Sequence, residues 1–283
     1  MLARFLPLLF GCLLSTAAVA RQEAALTLAT FNVRLDVAKD GANAWPHRRE
    51  MVRELVRYHG FDVFATQEAL PGQVSDLAAM SEYAHVGAGR DDGRHAGEHV
   101  AIFFRRERFE LLRSGDFWLS ETPDRPSKGW DATCCNRIVS WAELRDQASG
   151  VRFVFLSVHF DHQGEVARRE SAKLVLARVR AIAGGAPVVV AGDFNSTPDT
   201  GQIGTMRAAL RDAYEASATP PYGPVGTFNG FRIDAPIERR IDYLFVSPHV
   251  SVLSYAALTD SRNGRFPSDH LPVVIRARIA APR

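Results

Sequence analysis

The stretch Val188-Val189-Val190-Ala191-Gly192-Asp193-Phe194-Asn195 places an acidic turn directly after an apolar run. A second acidic motif, Ser268-Asp269-His270, precedes the apolar run Val273-Val274-Ile275. Both apolar runs predict buried strands, so each motif puts a carboxylate at a strand end. A buried carboxylate is costly unless it is paired, hydrogen-bonded or bound to a metal. The two motifs therefore indicate a divalent-metal site suited to phosphate chemistry.

Other polar residues occupy the same kind of position, at the ends or beginnings of predicted strands. They are Asn32, Glu68, His159 and Asp242. Because a sheet gathers its strand ends along one edge, we expect these side chains to meet the two acidic motifs in one cleft.

Strand and helix periodicities follow each other along the chain. The predicted strands are 26–33, 61–66, 100–104, 137–144, 151–160, 188–191, 241–246 and 271–279. Helical spacing predicts helices at 47–58 and 165–183. Many strands, few helices, no internal repeat and no low-complexity linker predict an α/β protein with mixed sheets, in one domain from residue 22 to residue 283.

Composition and charge limit the possible classes of protein. With 46% hydrophobic residues, the 283-residue chain can bury a core of useful size. The formal net charge is only +2, so the chain lacks the overall basic footprint expected of a nucleic-acid-binding protein. A local basic rim remains compatible with this charge.

The first twenty residues have the features of a secretory signal. Arg4 supplies a positive start, 5–14 is an apolar stretch too short to span a bilayer, and Ala18-Val19-Ala20 is a typical cleavage site. A buried N-terminal helix is the alternative, and a lipoprotein signal at Cys12 fits less well because Phe10 is bulky. We therefore expect cleavage after Ala20, a secreted or periplasmic protein, and no integral membrane segment in the mature chain.

Two adjacent cysteines, Cys134 and Cys135, remain in the mature chain. They can form a vicinal ring, stay reduced or pair with another molecule, but they cannot close a long-loop disulfide. The sequence has no C-x-x-C spacing, so structural zinc is unsupported. We expect two semi-buried thiols beside a strand.

The acidic residues suit a hard divalent cation. Mg²⁺ prefers oxygen ligands and needs only one or two carboxylates beside a substrate phosphate. Glu68 and Asp269 are the candidate ligands, with the Asn32 carbonyl as a neutral oxygen nearby. Taken alone, Glu68 also fits a solvated acid at a helix start, since Pro71 follows it.

Phosphoester hydrolysis also needs a proton acceptor for an in-line water. Asp193 suits that role, and Asn195 can hold the water from the same turn. As a bare sequence, Asp193 also fits a turn or a helix cap ahead of Ser196-Thr197-Pro198.

Histidines and arginines supply candidate donors to phosphate. His159 and His270 can donate hydrogen bonds, and Asp242 can keep one imidazole protonated, because a carboxylate partner raises the pKa of a histidine. Arg34 and Arg137 are candidate substrate contacts, since a guanidinium donates to two oxygens at once. Each of these side chains, taken singly, also fits a structural or surface position.

Six short motifs appear in order between residues 30 and 270. They are Thr30-Phe31-Asn32-Val33, Gln67-Glu68, Ser157-Val158-His159, Gly192-Asp193-Phe194-Asn195, Arg240-Ile241-Asp242-Tyr243 and Ser268-Asp269-His270. Together they resemble the endonuclease/exonuclease/phosphatase superfamily, which has the DNase I-like fold. The stretches 43–45, 129–132, 159–162 and 226–230 further resemble a secreted bacterial branch of that superfamily.

The resemblance implies a fold and a cofactor. The fold is a four-layer α/β sandwich, in which two mixed β-sheets pack face to face and are flanked by helices. The activity is Mg²⁺- or Mn²⁺-dependent cleavage of phosphoester bonds. Glu68 would lie at the metal, with Asn32 and Asp269 beside it.

The resemblance also implies roles for the remaining motif residues. Asp193 and Asn195 would lie at the nucleophilic water. His159 and His270 would stabilise the transition state, with Asp242 supporting His270.

The sequence therefore predicts a secreted metal-dependent phosphoesterase that hydrolyses a phosphodiester, as a nuclease does, or a phosphomonoester. The alternatives are a phosphatase or phospholipase-type hydrolase acting on small or lipid phosphoesters, and a non-catalytic binding module on the same fold. The complete set of motif residues argues against the binding module. We expect a monomer whose substrate is a nucleic acid or a small or lipid phosphate ester.

Overall fold

Two β-sheets of six strands each form the centre of the described chain, residues 22–282 of the computed structural model. In chain order the strands are β1 (Glu23–Asn32), β2 (Val63–Gln67), β3 (Tyr83–Val86), β4 (Ile102–Arg105), β5 (Phe109–Trp118), β6 (Ile138–Asp146), β7 (Arg152–His159), β8 (Val188–Asp193), β9 (Arg211–Asp212), β10 (Asp242–Val246), β11 (Val250–Ala257) and β12 (Val273–Ala280). The predicted signal sequence, residues 1–20, lies outside the described residues.

Each sheet is mixed. The first sheet has the order β11-β12-β1-β2-β4-β3, and the second has the order β5-β6-β7-β8-β10-β9. One central pair in each sheet is parallel, β1 with β2 and β7 with β8, and the other neighbours are antiparallel. The carboxyl ends of each parallel pair therefore lie at one edge of their sheet, where a cleft can form.

Helices cover the outer faces of both sheets. They are α1 (Arg49–Tyr58), α2 (Pro71–Ala78), α3 (Glu165–Ala183) and α4 (Gly201–Arg207), with short 3₁₀ segments at Ala38–Asn43 and Trp45–His47. Within residues 22–282, none of the helices has both the length and the apolar character that a membrane crossing requires.

Three buried apolar clusters separate four layers. One cluster lies between the two sheets, a second joins α3 and α4 to the second sheet, and a third joins α1 and α2 to the first sheet. The four-layer α/β sandwich with two mixed sheets packed face to face is therefore confirmed.

Strand β7 shows how the sequence builds these layers. Phe153 and Phe155 pack into the cluster between the sheets, whereas Val154, Leu156 and Val158 pack under the helices. Successive side chains of a strand point to opposite faces, so a strand buried on both faces must be apolar throughout. This is why the central strands were visible in the sequence as continuous apolar runs.

The elements that the sequence did not predict are at the edges or are short. Strands β5 and β11 are the outermost strands of their sheets, and seven of the ten β5 side chains and four of the eight β11 side chains are exposed or half-buried. An edge strand faces solvent along one side, so its apolar pattern is weak. The predicted helix at 165–183 is confirmed as α3, and α1 ends just before Gly60, which adopts φ 63°.

Gly192 is required by the close approach of β7 and β8. A Cβ atom at this position would overlap the carbonyl oxygen of Val158, a backbone atom that cannot rotate away. Because Gly192 immediately precedes Asp193, the same packing fixes where the Asp193 carboxylate lies.

Replacing Gly192 with Ala should therefore lower the free energy of unfolding by about 1–3 kcal/mol, since the added methyl group overpacks a well-packed site. Urea denaturation followed by circular dichroism measures the change. The matched control is Gly204→Ala in α4, where no other atom lies within 4 Å of the added Cβ. That variant should gain about 0.5–1 kcal/mol from helix propensity. Equal stability of Gly192→Ala and the wild type would contradict the close approach.

Candidate active site

Three polar side chains stand side by side at one edge of the second sheet. The parallel register of β7 and β8 pairs His159 with Asp193, and the antiparallel register of β8 and β10 pairs Asp193 with Asp242. Directly paired residues point to the same face of a sheet, so the register alone brings these three groups together.

The first sheet contributes the facing half of the site. Asn32 ends β1, and Glu68 follows the neighbouring end of β2. Asp269 and His270 lie in the segment before β12, where the hydroxyl of Ser268 donates to the backbone carbonyl of Asn32 at 2.6 Å. That hydrogen bond ties this segment to the end of β1.

The buried side chain of Asn32 joins the two halves. Its amide nitrogen donates to Glu68 Oε1 at 3.0 Å and to Asp193 Oδ2 at 3.1 Å. Its amide oxygen accepts the backbone N–H of Arg34 at 3.0 Å. The Asn32 oxygen is therefore engaged by the backbone, and its nitrogen links a carboxylate of one sheet to a carboxylate of the other.

Backbone strain is concentrated at this edge. Arg34, Glu68 and Asn195 adopt φ angles of 57°, 63° and 46°. Residues other than glycine rarely adopt these left-handed conformations, and they persist where surrounding contacts enforce them. At Glu68 and Asn195 the contacts are side-chain hydrogen bonds to Asn32 and to the carbonyl of Phe160.

His270 is held in its charged form. Its Nδ1 lies 2.9 Å from Asp242 Oδ2, and the Thr227 hydroxyl donates to the same oxygen at 2.6 Å. Burial would lower the pKa of His270, but the charges of Asp242, Asp193 and Asp269 together raise that pKa well above its ordinary value. The imidazolium can therefore donate a hydrogen bond from Nε2 to an anion.

His159 is held in its neutral form. Burial and the positive charge of Arg137 lower the pKa of His159 well below its ordinary value. Arg137 Nη1 lies 3.1 Å from the ring nitrogens of His159, and Nη2 lies 2.7 Å from His162 Nδ1. The predicted substrate contact Arg137 is thus buried between two imidazoles, where it positions both rings.

The carboxylate of Asp193 lies at the centre. Its Oδ2 is 3.6 Å from His159 Nε2 and 3.9 Å from His270 Nε2, and its Oδ1 accepts the Asn195 N–H at 2.8 Å. Burial and the charge of Asp242 raise the pKa of Asp193 to about 7, although His270 opposes this shift. A carboxylate with such a pKa is able to accept a proton near neutral pH.

The guanidinium of Arg34 faces the candidate metal ligands. It lies 3.8 Å from Glu68 and 3.8 Å from Asp269, and it forms a bidentate pair with Asp40 at 2.9 and 3.1 Å. Asp40, which sequence reasoning did not identify, therefore fixes the orientation of the predicted substrate contact Arg34.

The pKa values of the two carboxylates beside Arg34, those of Glu68 and Asp269, are shifted in opposite directions. Burial would raise the pKa of Glu68, but the charge of His270 and the hydrogen bonds from Asn32 and the Leu35 N–H lower it, so Glu68 is ionised. Burial raises the pKa of Asp269 above its ordinary value.

Two groups of side chains converge closely enough to share a metal ion. The ligand atoms of Glu68, His159 and Asp193 lie within 4.8 Å of one another, and so do those of Asp193, Asp242 and His270. The second group already contains the His270–Asp242 ion pair, and a protonated imidazole is not a metal ligand. In the first group, the carboxylate oxygens of ionised Glu68 and of Asp193 are the kind of ligand that a hard cation such as Mg²⁺ or Mn²⁺ prefers, whereas the His159 imidazole is not.

The site opens into a cleft of about 580 Å³. Among the predicted residues, those lining it are Arg34, Glu68, Arg137, His159, Asp193, Asn195, Asp269 and His270. Asn32 and Asp242 lie behind these residues and contact them through the hydrogen bonds described above. The structure therefore brings together every residue that the sequence selected for the site.

Sequence reasoning missed several other residues of the cleft. They include Lys39, Arg90, Glu98, His162 and Arg239. Arg90 and Glu98 lie in the connection 87–101 between β3 and β4, which contains four glycines. Long glycine-rich connections often carry function, so the length of this segment was the available signal.

Cys134 and Cys135 also line the cleft. The structure joins them in a vicinal disulfide, with Cys134 exposed and Cys135 half-buried. The expectation of two semi-buried thiols is therefore wrong for this structure, because the adjacent side chains turn towards each other and bond.

Solved structures share this architecture. An endonuclease/exonuclease/phosphatase family protein from Bacteroides thetaiotaomicron is 40% identical, with a TM-score of 0.88 over 91% of this chain and 99% of that chain. A mannosyl-6-phosphatase from the same organism is 41% identical, with a TM-score of 0.85 over 89% of this chain and 99% of that chain. The human Nocturnin catalytic domain, at 20% identity and a TM-score of 0.72 over 92% of this chain and 98% of that chain, shares the fold.

Sequence comparison gives the family. Two uncharacterized proteins of Acanthamoeba polyphaga mimivirus are 25% and 24% identical over 76% and 54% of this chain, and the matches span 36% and 59% of the length of those relatives. The model of the Endonuclease/Exonuclease/phosphatase family matches residues 29–270. With that match across most of its length, this chain belongs to the Endonuclease/Exonuclease/phosphatase family.

Proposed function

We propose that this protein is a divalent-metal-dependent phosphomonoesterase that acts on a small phosphorylated sugar. One observation carries the proposal: an imidazolium, a carboxylate with a pKa of about 7 and an ionised carboxylate meet at the floor of one cleft, in His270, Asp193 and Glu68. These are a donor to an anion, an acceptor for a proton and a ligand for a cation. Hydrolysis of a phosphate ester needs all three.

The shape of the cleft supports a small substrate. Its volume of about 580 Å³ lies within the range typical of small-molecule sites. The formal net charge of +2 gives the chain no overall basic character of the kind that favours nucleic-acid binding. Similarity to a mannosyl-6-phosphatase supports a sugar phosphate as the substrate class. The signal-like residues 1–20 support export of the protein.

Asp193 and Asn195 serve the attacking water. Asp193 accepts its proton, because burial keeps the pKa of this carboxyl near neutrality. Asn195 is fixed by its own N–H on Asp193 and by its amide donating to the carbonyl of Phe160 at 3.0 Å. Its position in the same tight turn lets it orient the water beside the base.

His270 and His159 serve the phosphoryl group. His270 stays protonated because Asp242 and Thr227 hold it, and it donates to a phosphoryl oxygen from Nε2. Neutral His159, positioned by Arg137, lies 3.6 Å from Asp193 and donates without adding charge. The two histidines therefore hold the phosphoryl group over the base.

The acidic residues fit a divalent cation, because Glu68 is ionised and the carboxylates of Glu68 and Asp269 both lie 3.8 Å from the guanidinium of Arg34. Glu68 and Asp269 would hold the ion, with Asn32 orienting Glu68 through its amide nitrogen. When bound, Mg²⁺ or Mn²⁺ neutralises charge on the phosphoryl oxygens.

A substrate panel tests the proposed function. With Mg²⁺, kcat/KM for mannose 6-phosphate and 4-nitrophenyl phosphate should exceed that for bis(4-nitrophenyl) phosphate and single-stranded DNA by at least about 10²-fold, because the cleft selects small monoesters. A chelator should reduce turnover by a similar factor. Faster cleavage of DNA than of the monoesters would identify a nuclease instead, and full activity with chelator would refute the metal requirement.

A second prediction concerns the metal ligand. Glu68→Gln keeps the shape of the side chain and removes its charge, so kcat should fall by at least about 10²-fold. Mn²⁺ affinity, measured by isothermal titration calorimetry, should weaken by at least about 10-fold. The control is Glu50→Gln, an exposed change on α1 that should alter neither quantity. Unchanged Mn²⁺ affinity in a folded Glu68→Gln variant would remove Glu68 from the metal site.

A further inference from the structure

One wall of the cleft carries an ion pair that the proposed reaction does not use. Arg90 Nη1 lies 2.6 Å from Glu98 Oε2, and both side chains are only 13% exposed. The backbone N–H of Arg90 donates to the carbonyl of Glu98 at 3.0 Å, so the two residues face each other across the connection between β3 and β4. Both residues line the cleft.

This wall is held rigidly. The carbonyl of Arg90 accepts the indole N–H of Trp118 at 2.7 Å and the amide of Asn136 at 3.3 Å. Asn136 directly follows the disulfide-bonded Cys135. Two loops of the cleft are therefore fastened together at the point where the ion pair lies.

The Arg90–Glu98 pair lies next to the side chains that take part in the proposed reaction but is not one of them. Glu98 Oε2 lies 3.8 Å from His159 Nδ1, on the far side of that ring from Asp193, which lies 3.6 Å from Nε2. A substrate whose phosphate binds at His159 and whose remaining groups extend along this wall of the cleft would contact the pair. The hydrolytic residues already have their own partners, so the chemistry does not require Arg90 or Glu98.

Structural stabilisation does not account for the pair. A desolvated ion pair is often no more stabilising than apolar side chains of the same volume. Arg90 Nε is also buried without a hydrogen-bond partner within the described residues, which adds a cost. Charged groups kept in a cleft at such a cost are candidates for ligand binding.

The chemistry of the pair selects a hydroxylated ligand. A carboxylate accepts hydrogen bonds and a guanidinium donates them, whereas a hydroxyl group does both. Neighbouring hydroxyl groups on a sugar ring can donate to Glu98 and accept from Arg90 at the same time. An aromatic or aliphatic leaving group can do neither.

We propose that Arg90 and Glu98 form a leaving-group subsite that binds hydroxyl groups of the phosphorylated sugar and thereby determines substrate specificity. This inference rests on the proposed phosphomonoesterase function.

Comparison of two phosphomonoesters tests the subsite. Mannose 6-phosphate carries ring hydroxyl groups, and 4-nitrophenyl phosphate carries none on its leaving group. In Glu98→Gln, kcat/KM for mannose 6-phosphate should fall by about 10- to 100-fold, the effect of losing one hydrogen bond to a charged group. The same ratio for 4-nitrophenyl phosphate should change by less than about 3-fold, since no hydrogen bond is lost there.

A second readout separates binding from turnover. Free mannose should inhibit hydrolysis of 4-nitrophenyl phosphate by the wild type competitively, and its inhibition constant should rise by at least about 10-fold in Glu98→Gln. Arg90→Lys, which keeps the charge but loses the planar fork, should show the same selectivity between substrates if Glu98→Gln fails to fold. The control is Glu107→Gln, an exposed residue in the turn between β4 and β5.

The outcomes separate the two proposals. Equal losses on both substrates would show that Glu98 acts through His159, and no loss on either would show that the pair has no binding role; each result overturns the subsite and leaves the phosphomonoesterase standing. A wild-type enzyme that hydrolyses neither monoester would overturn the proposed function, and the subsite with it.

Discussion

The buried carboxylate of Asp193 is the constraint on which the site depends. A charge in that position, next to the equally buried Asp242, is tolerated only because polar groups from both sheets surround it. Asn32 and His270 come from the first sheet and its connecting segment, and His159 comes from the second sheet. Separating the sheets would remove the Asn32 amide and the His270 imidazolium from Asp193, so packing between the sheets and assembly of the site are one event. The Asn32 amide, which also binds Glu68, carries that link.

The same constraint explains why two histidines at similar distances from Asp193 differ in charge. His270 has Asp242 on its Nδ1, and the charges of Asp242, Asp193 and Asp269 together outweigh burial and keep the ring protonated. His159 has Arg137 beside it, which adds to the effect of burial and keeps the ring neutral. The charged side chain beside each ring, Asp242 for His270 and Arg137 for His159, therefore decides which imidazole is protonated and donates as a cation. The fold supplies those partners through the register of its central strands and through the loops at their ends.

The sequence predicted correctly those strands that are buried on both faces and those site residues that are polar and lie at a strand end. Strands such as β7 and β8 are continuous apolar runs. The polar residues at their ends, His159 and Asp193, were identifiable because a buried charged or polar group must be paired, hydrogen-bonded or bound to a metal. Edge strands β5 and β11 gave no such pattern, because half or more of the side chains in each strand are not buried. Thr227 was also out of reach, because its role is a hydrogen bond to Asp242, 15 residues away, that only the folded chain creates. The contact of Glu98 with His159 is of the same kind.

The central claim is that the carboxylates of the two sheets work as one unit. A double-mutant cycle tests it most directly: turnover of 4-nitrophenyl phosphate is measured for Glu68→Gln, Asp193→Asn and the variant that carries both changes. Residues that act as a unit are strongly non-additive, so the double variant should lose no more than about 10-fold beyond the weaker single variant. A loss equal to the product of the two single losses would show that the two halves of the site act independently, and would contradict the account.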